Sequence, residues 1–203
     1  VENTGGLVAA KYAAAGHRVT LLHMTGGEKG NPAMDDQVYR QQRVREANAF
    51  AETIGAADCL ILDHPDGELN VNETTIHEMC DLVRRLRPDI VLTHWRDDAN
   101  QVHRGLSRAV EIATRPFRRR RDVLLFEVPT STDQTFHRTF SPNGFVILGE
   151  EHVHRKCEAM ACYPTESAPG RTPDDVRRRA QVRGTELGTD YAEAFVVARS
   201  FLE

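Results

Sequence analysis

With 203 residues, 40% of them hydrophobic and 28% charged, the chain can bury a full core, and the sequence predicts a single domain over residues 1–203. The net charge of −4 argues against broad attraction to nucleic acid, and no run of eighteen apolar residues predicts a membrane span. Cys59, Cys80, Cys157 and Cys162 lack C-x-x-C spacing and read as reduced thiols, so a cytoplasmic protein is expected.

Asn3 or Thr4 can cap a first helix running through Leu7, Val8 and Tyr12, which Gly16 stops in a left-handed turn. Residues 18–23 read as a buried strand, and the turn formers from Thr25 to Pro32 predict a loop without regular structure. A helix over 37–54 places Val44, Ala47, Phe50, Ala51 and Ile54 on one face and ends at Gly55. A strand at 59–62 runs into the turn His64-Pro65-Asp66-Gly67, and Thr75 with Glu78 predicts a capping box opening a helix to Leu86.

The strand Ile90-Val91-Leu92-Thr93 then leads into His94-Trp95-Arg96-Asp97-Asp98-Ala99-Asn100-Gln101-Val102-His103, with a helix from His103 to about Thr114. Residues 118–121 are four arginines, read as a solvated connection between that helix and the strand at 123–126. A strand at 145–148, a helix over 150–163 and a helix capped at Thr172 complete the chain. Strands alternating with helices predict an α/β, Rossmann-like three-layer sandwich with a mainly parallel sheet, active at the carboxyl ends of its strands. The acids and amides of residues 97–101, with His103, fall at such an end.

Gly5-Gly6, Ala14-Ala15-Gly16-His17-Arg18-Val19, Thr25-Gly26-Gly27-Glu28-Lys29-Gly30, Arg43 with Glu46, Pro65-Asp66-Gly67 and Arg87-Pro88-Asp89-Ile90-Val91 occur in an order that resembles the PIG-L/LmbE-like N-deacetylases. Phe126-Glu127-Val128-Pro129, Ser141-Pro142-Asn143-Gly144, the helix around Lys156 and Tyr191-Ala192-Glu193-Ala194-Phe195 extend the likeness to the branch acting on sugars or nucleotide sugars. The resemblance implies a zinc-dependent hydrolase that removes an N-acetyl group from a small amino-sugar, glycoside or nucleotide-sugar substrate. It further implies a His and an Asp ligand, plus the general base, in a His-Pro-Asp-Asp loop after the first strand, and a third ligand at His103. Glu2, Arg43, Asp66 and Glu193 match positions at the substrate, while Asn100 and Asp98 are the catalytic candidates beside His103. A site of two histidines and one aspartate also admits other divalent ions.

Val1 falls just after the point where that early loop is expected to end, so the sequence reads as amino-truncated before it, lacking the first strand. In a doubly wound sheet that strand lies between those near Val19 and Val91, whose edges are then expected to be unpaired. Val102 stands where the family has an Asp preceding the ligand histidine, and a valine cannot orient an imidazole; Asp98, close in sequence, is the candidate substitute. Asn100 occupies a position that is often His and can donate to an oxyanion without carrying charge.

Other readings stay open at this stage. A histidine opening a helix is commonly a solvated first-turn residue, Arg43 can be a helix-surface arginine and Asp66 a turn aspartate. His152 and His154 near Cys157 and Glu158 read as a polar helix face in preference to a second metal site. A catalytically silent sugar-binding relative is the alternative to the enzyme. A generic nucleotide binder is opposed by the absence of the G-x-G-x-x-G order. Homo-oligomer formation is left open.

Overall fold

Alternating apolar segments fold, in chain order, into α1 (Gly6–Ala14), β1 (Thr20–Thr25), α2 (Asp36–Ile54), β2 (Asp58–His64), α3 (Glu73–Leu86), β3 (Ile90–His94), α4 (Gln101–Ala113), β4 (Asp122–Phe126), β5 (Gly144–Leu148), α5 (Glu150–Ala161), α6 (Pro173–Thr185) and β6 (Tyr191–Arg199). The structure is a computed structural model and describes residues 5–117, 119–136 and 138–201. β1 pairs with β2 in parallel, and a second sheet has the order β3-β4-β6-β5. In that sheet β3 and β4 are parallel while β4 and β6 are antiparallel. The fold is α/β and Rossmann-like, as the alternation predicts. β1 and β3, the strands whose edges the sequence leaves open, each have one strand neighbour among the described residues.

The chain divides into two compact units, residues 1–67 with 146–193 and residues 68–145 with 194–203. In the first, Leu7, Ala10, Phe50, Ile54, Val153 and Ala180 are buried in one apolar cluster. The α2 face predicted from its period supplies four of its residues, Ala47, Phe50, Ala51 and Ile54. In the second unit Trp95, Val123, Leu125, Phe140 and Ala194 form the apolar cluster. Trp95 meets the ring of Phe140 edge-on at 5.8 Å.

Helix ends follow local chemistry, with some departures from expectation. Asp35 caps α2 by accepting from the N–H groups of Gln37 and Val38, and Gly55 ends it at φ 79°. α3 opens three residues earlier than the Thr75 box predicts, because Asn72 accepts the Thr75 N–H while the Thr75 hydroxyl turns back to the Asn70 carbonyl. The expected cap at Asn3 or Thr4 lies outside the described residues. The N-cap of α1 is Gly5, at φ 74°, and its capping acceptor comes from Glu193. β6 is absent from the sequence reading: residues 192–195 are all buried, so the strand shows no alternation to reveal it.

Candidate active site

β3 ends at His94, and the next turn is fixed by backbone bonds: the Trp95 N–H extends the ladder to the Phe126 carbonyl at 2.9 Å. Asp98 then turns the chain into α4. Its Oδ1 accepts the Asn100 N–H at 2.8 Å, and the Asn100 Oδ1 in turn accepts the Val102 N–H at 2.8 Å, making Asn100 the N-cap. His103 is therefore the third residue of α4 and not its opener, and its side chain turns back over the loop.

There the Asp98 Oδ1 lies 3.0 Å from the His103 Nδ1. Ser131 donates its hydroxyl to the other oxygen, Oδ2, at 3.0 Å, and Thr132 donates to the same oxygen. Asp98 is 1% exposed. Burial pushes its carboxyl up, but the bonds from His103, Thr132 and the Asn100 N–H outweigh that and hold it below the ordinary aspartate value. A carboxylate facing Nδ1 assigns the ring proton to that nitrogen and leaves the Nε2 lone pair on the opposite edge of the ring, the arrangement of a metal-ligating histidine with its supporting carboxylate. His94 stacks on His103 with ring centroids 4.0 Å apart and planes 17° apart, and Phe126 backs His94 at 4.7 Å.

The pair fits one position of a metal site. Among the described residues no group of three His, Cys, Asp or Glu side chains is placed to hold a metal ion. His103 would supply one donor to such a site, and the other two ligands that the resemblance implies are not among the described residues.

Asp98, Asn100 and His103 are brought together, all within the second unit. Glu2 lies outside the described residues. Arg43, Asp66 and Glu193 belong to the first unit, where each has protein partners. Arg43 pairs with Glu166, donates to the Thr165 hydroxyl at 3.1 Å and lies 4.6 Å from the ring centroid of Tyr163. Asp66 accepts from the Thr25 hydroxyl and the Lys29 N–H, both at 3.2 Å, so it fastens the 25–30 loop to the turn after β2. That loop contains a short 3₁₀ turn, Glu28–Gly30, where none was expected. A side chain at Gly27, where φ is 69°, would meet the Arg43 Nε at 2.8 Å, so the glycine lets the loop lie on the guanidinium.

Glu193 accepts the Gly5 N–H at 2.7 Å and the Val8 N–H at 2.8 Å, at the start of α1. Burial pushes its carboxyl up, opposed by the Val8 bond, the Lys156 ammonium and the Gly5 bond. Lys156 is itself fully buried, over the Phe50 ring at 4.7 Å. His152 caps α5 by accepting the Gly149 N–H, and His154 pairs with Glu158 at 3.3 Å, as a polar helix face does.

Sequence reasoning missed His94, Ser131 and Thr132. The hydroxyl-rich run Thr130-Ser131-Thr132, shortly after the β4 strand and thus at a carboxyl end, is the signal that could have found the last two.

The model of the PIG-L family, described as GlcNAc-PI de-N-acetylase, matches residues 2–114. A 1D-myo-inositol 2-acetamido-2-deoxy-alpha-D-glucopyranoside deacetylase of Catenulispora acidiphila is 27% identical over 141 residues, 53% of this chain and 46% of its own. A 4-oxalmesaconate hydratase of Pseudomonas putida is 29% identical over 111 residues, 51% of this chain and 42% of its own. The matched stretches thus span less than half of either relative. Among solved structures, GalB, the 4-carboxy-2-hydroxymuconate hydratase of Pseudomonas putida KT2440, shares the fold with a TM-score of 0.84 at 21% identity, over 100% of this chain and 92% of that one. With more than half of its residues matched by the family model, the chain belongs to the PIG-L, GlcNAc-PI de-N-acetylase, family.

Proposed function

We propose that the protein is a metal-dependent N-deacetylase that hydrolyses the acetamide of an N-acetylated amino sugar, glycoside or nucleotide sugar. The observation that carries this reading is the Asp98–His103 pair at the carboxyl end of β3, in a chain of a de-N-acetylase family. Both the family description and the Catenulispora relative's name specify an N-acetylglucosamine unit, which supports the amino-sugar class.

A divalent ion, with zinc expected, would polarise a water and the amide carbonyl when bound. His103 would hold it through Nε2. Asp98 keeps the ring proton on Nδ1 and fixes the ring plane, with Ser131 and Thr132 holding the second carboxylate oxygen. Because the Asn100 amide oxygen is occupied by the helix cap, its NH₂ is the end available to donate to a developing oxyanion. Arg43 and Asp66, joined to the 25–30 loop, are the proposed sugar contacts, and Glu193 supports the start of α1.

A second reading, hydration of an unsaturated acid, is favoured by the likeness to the 4-oxalmesaconate hydratase. One experiment separates the two: zinc-supplemented protein is given an N-acetylglucosamine glycoside and, separately, 4-oxalmesaconate. Release of a primary amine supports the deacetylase. Consumption of 4-oxalmesaconate without amine release supports the hydratase, and sugar binding without either reaction supports a silent relative.

A further inference from the structure

The four-arginine run connects α4 to β4 as expected, but one of its members is not solvated. Arg118 lies outside the described residues. Arg119 pairs with Asp89, and Arg120 is exposed over the Phe201 ring at 5.8 Å. Arg121, directly before β4, is only 7% exposed, and its Nε is buried with no hydrogen-bond partner among the described residues. No carboxylate pairs with it among those residues either. The neighbouring Asp122 gives its Oδ1 to the Phe201 N–H at 3.0 Å, and Asp89 is taken by Arg119.

Among the described residues, the charges that act on Arg121 have its own sign. Arg199, in register with Val123 on the antiparallel strand β6, gives a guanidinium nitrogen to the Thr114 carbonyl at 2.6 Å. Burial first, then Arg119 and Arg199, push the Arg121 pKa down. A guanidinium stays charged at any physiological pH, so this buried fork cannot relieve its position by losing a proton. It needs an anion.

We propose that Arg121, with Arg119 and Arg199, forms a binding site for a tetrahedral phosphoryl oxyanion, either free phosphate or the phosphate of a small phosphomonoester. Such a group carries about two negative charges and three strong acceptor oxygens, more charge and more acceptors than a single carboxylate brings to several guanidinium forks. The site lies at the amino ends of β3 and β4, where Ile90 is in register with Asp122, whereas His94 and Phe126 mark the carboxyl ends. A five-residue strand, roughly 13 Å at a rise of about 3.3 Å per residue, separates it from the His103 cluster. It is therefore independent of the deacetylase reading. The chain's net charge of −4 opposes a polyanion such as nucleic acid as the occupant.

The test is the melting temperature of the protein and of Arg121→Met in inorganic phosphate, glucose 6-phosphate and chloride at matched ionic strength. Wild type should gain roughly 3–5 °C at a ligand concentration about ten times the dissociation constant, with saturation. Arg121→Met should keep only the small non-saturating rise that phosphate gives any protein. A stronger response to inorganic phosphate assigns the free anion, and a stronger response to the sugar phosphate assigns a phosphorylated metabolite. Equal responses in wild type and variant, or no saturable effect, overturn the site. So does an oligonucleotide that binds when neither phosphate probe does. Should Arg121→Met fail to fold, titration calorimetry of wild type and Arg199→Gln with phosphate decides. Binding at least about tenfold weaker in the variant is expected, and equal binding overturns the proposal.

Discussion

Asp98 sits beneath His103 with its Oδ1 3.0 Å from the ring Nδ1, and it comes from five residues earlier, in the loop that leads into α4. In the family pattern the residue before the ligand histidine is an Asp, replaced here by Val102. The Asx turn that caps α4 places Asp98 where a carboxylate can orient the imidazole, so on the proposed reading Asp98 would take the role that a valine cannot fill. Asp98→Asn is expected to weaken zinc binding about 10- to 100-fold, and Val102→Asp to change it little. Competition with a chromophoric chelator measures both, and a large gain from Val102→Asp alone would count against the role given to Asp98.

The same carboxyl makes stability depend on acid. Its folded pKa is held below the unfolded value of about 3.9, so its contribution is fully present above that value and is lost as pH falls through the folded pKa. Chemical denaturation of wild type and Asp98→Asn should show a stability gap that is constant above about pH 5 and shrinks below about pH 4. A gap that widens in acid would reverse the sign.

Gly6→Ala should destabilise the protein, although alanine is the better helix former by about 0.5–1 kcal/mol. A Cβ at Gly6 would lie 2.2 Å from the Lys156 Nζ and 3.0 Å from its Cε, so the buried lysine must leave its place over Phe50. The expected cost is about 1–3 kcal/mol, read from the denaturation midpoint. A neutral or stabilised variant would show that Lys156 is free to move.

Glu193→Ala removes both acceptors at the start of α1 and takes away the carboxylate that faces Lys156. A loss of about 3–5 kcal/mol is expected. Replacing both groups together, as Lys156→Met with Glu193→Gln, should cost less than Glu193→Ala alone, because no buried charge is then left without its counterpart. Double-mutant analysis of unfolding free energies checks this, and simple additivity would contradict the coupling.

These contacts divide into those the sequence could reveal and those it could not. The period of α2 and its stop at Gly55, the turn at Asp66-Gly67 and the helix opened by Thr172 are local, and all appear in the structure. Asp98 and His103 are five residues apart, close enough for a sequence argument to propose their meeting. Ser131 and Thr132 lie 33 and 34 residues from Asp98, and Glu193 lies 188 residues from the N–H it caps. Such partners are set by strand order, which no periodicity encodes. β6 escaped notice for a related reason, since burial on both faces erased its alternation. Arg121 was misread because composition treats an arginine run as uniform, whereas the start of β4 buries one member of it.

The deacetylase reading is tested most directly by amine release from an N-acetylglucosamine glycoside, comparing zinc-supplemented wild type with His103→Ala at matched folding by circular dichroism. The account predicts release that a chelator abolishes and that falls on the order of a hundredfold or more in the variant. Undiminished release from His103→Ala, or release indifferent to the chelator, would contradict it.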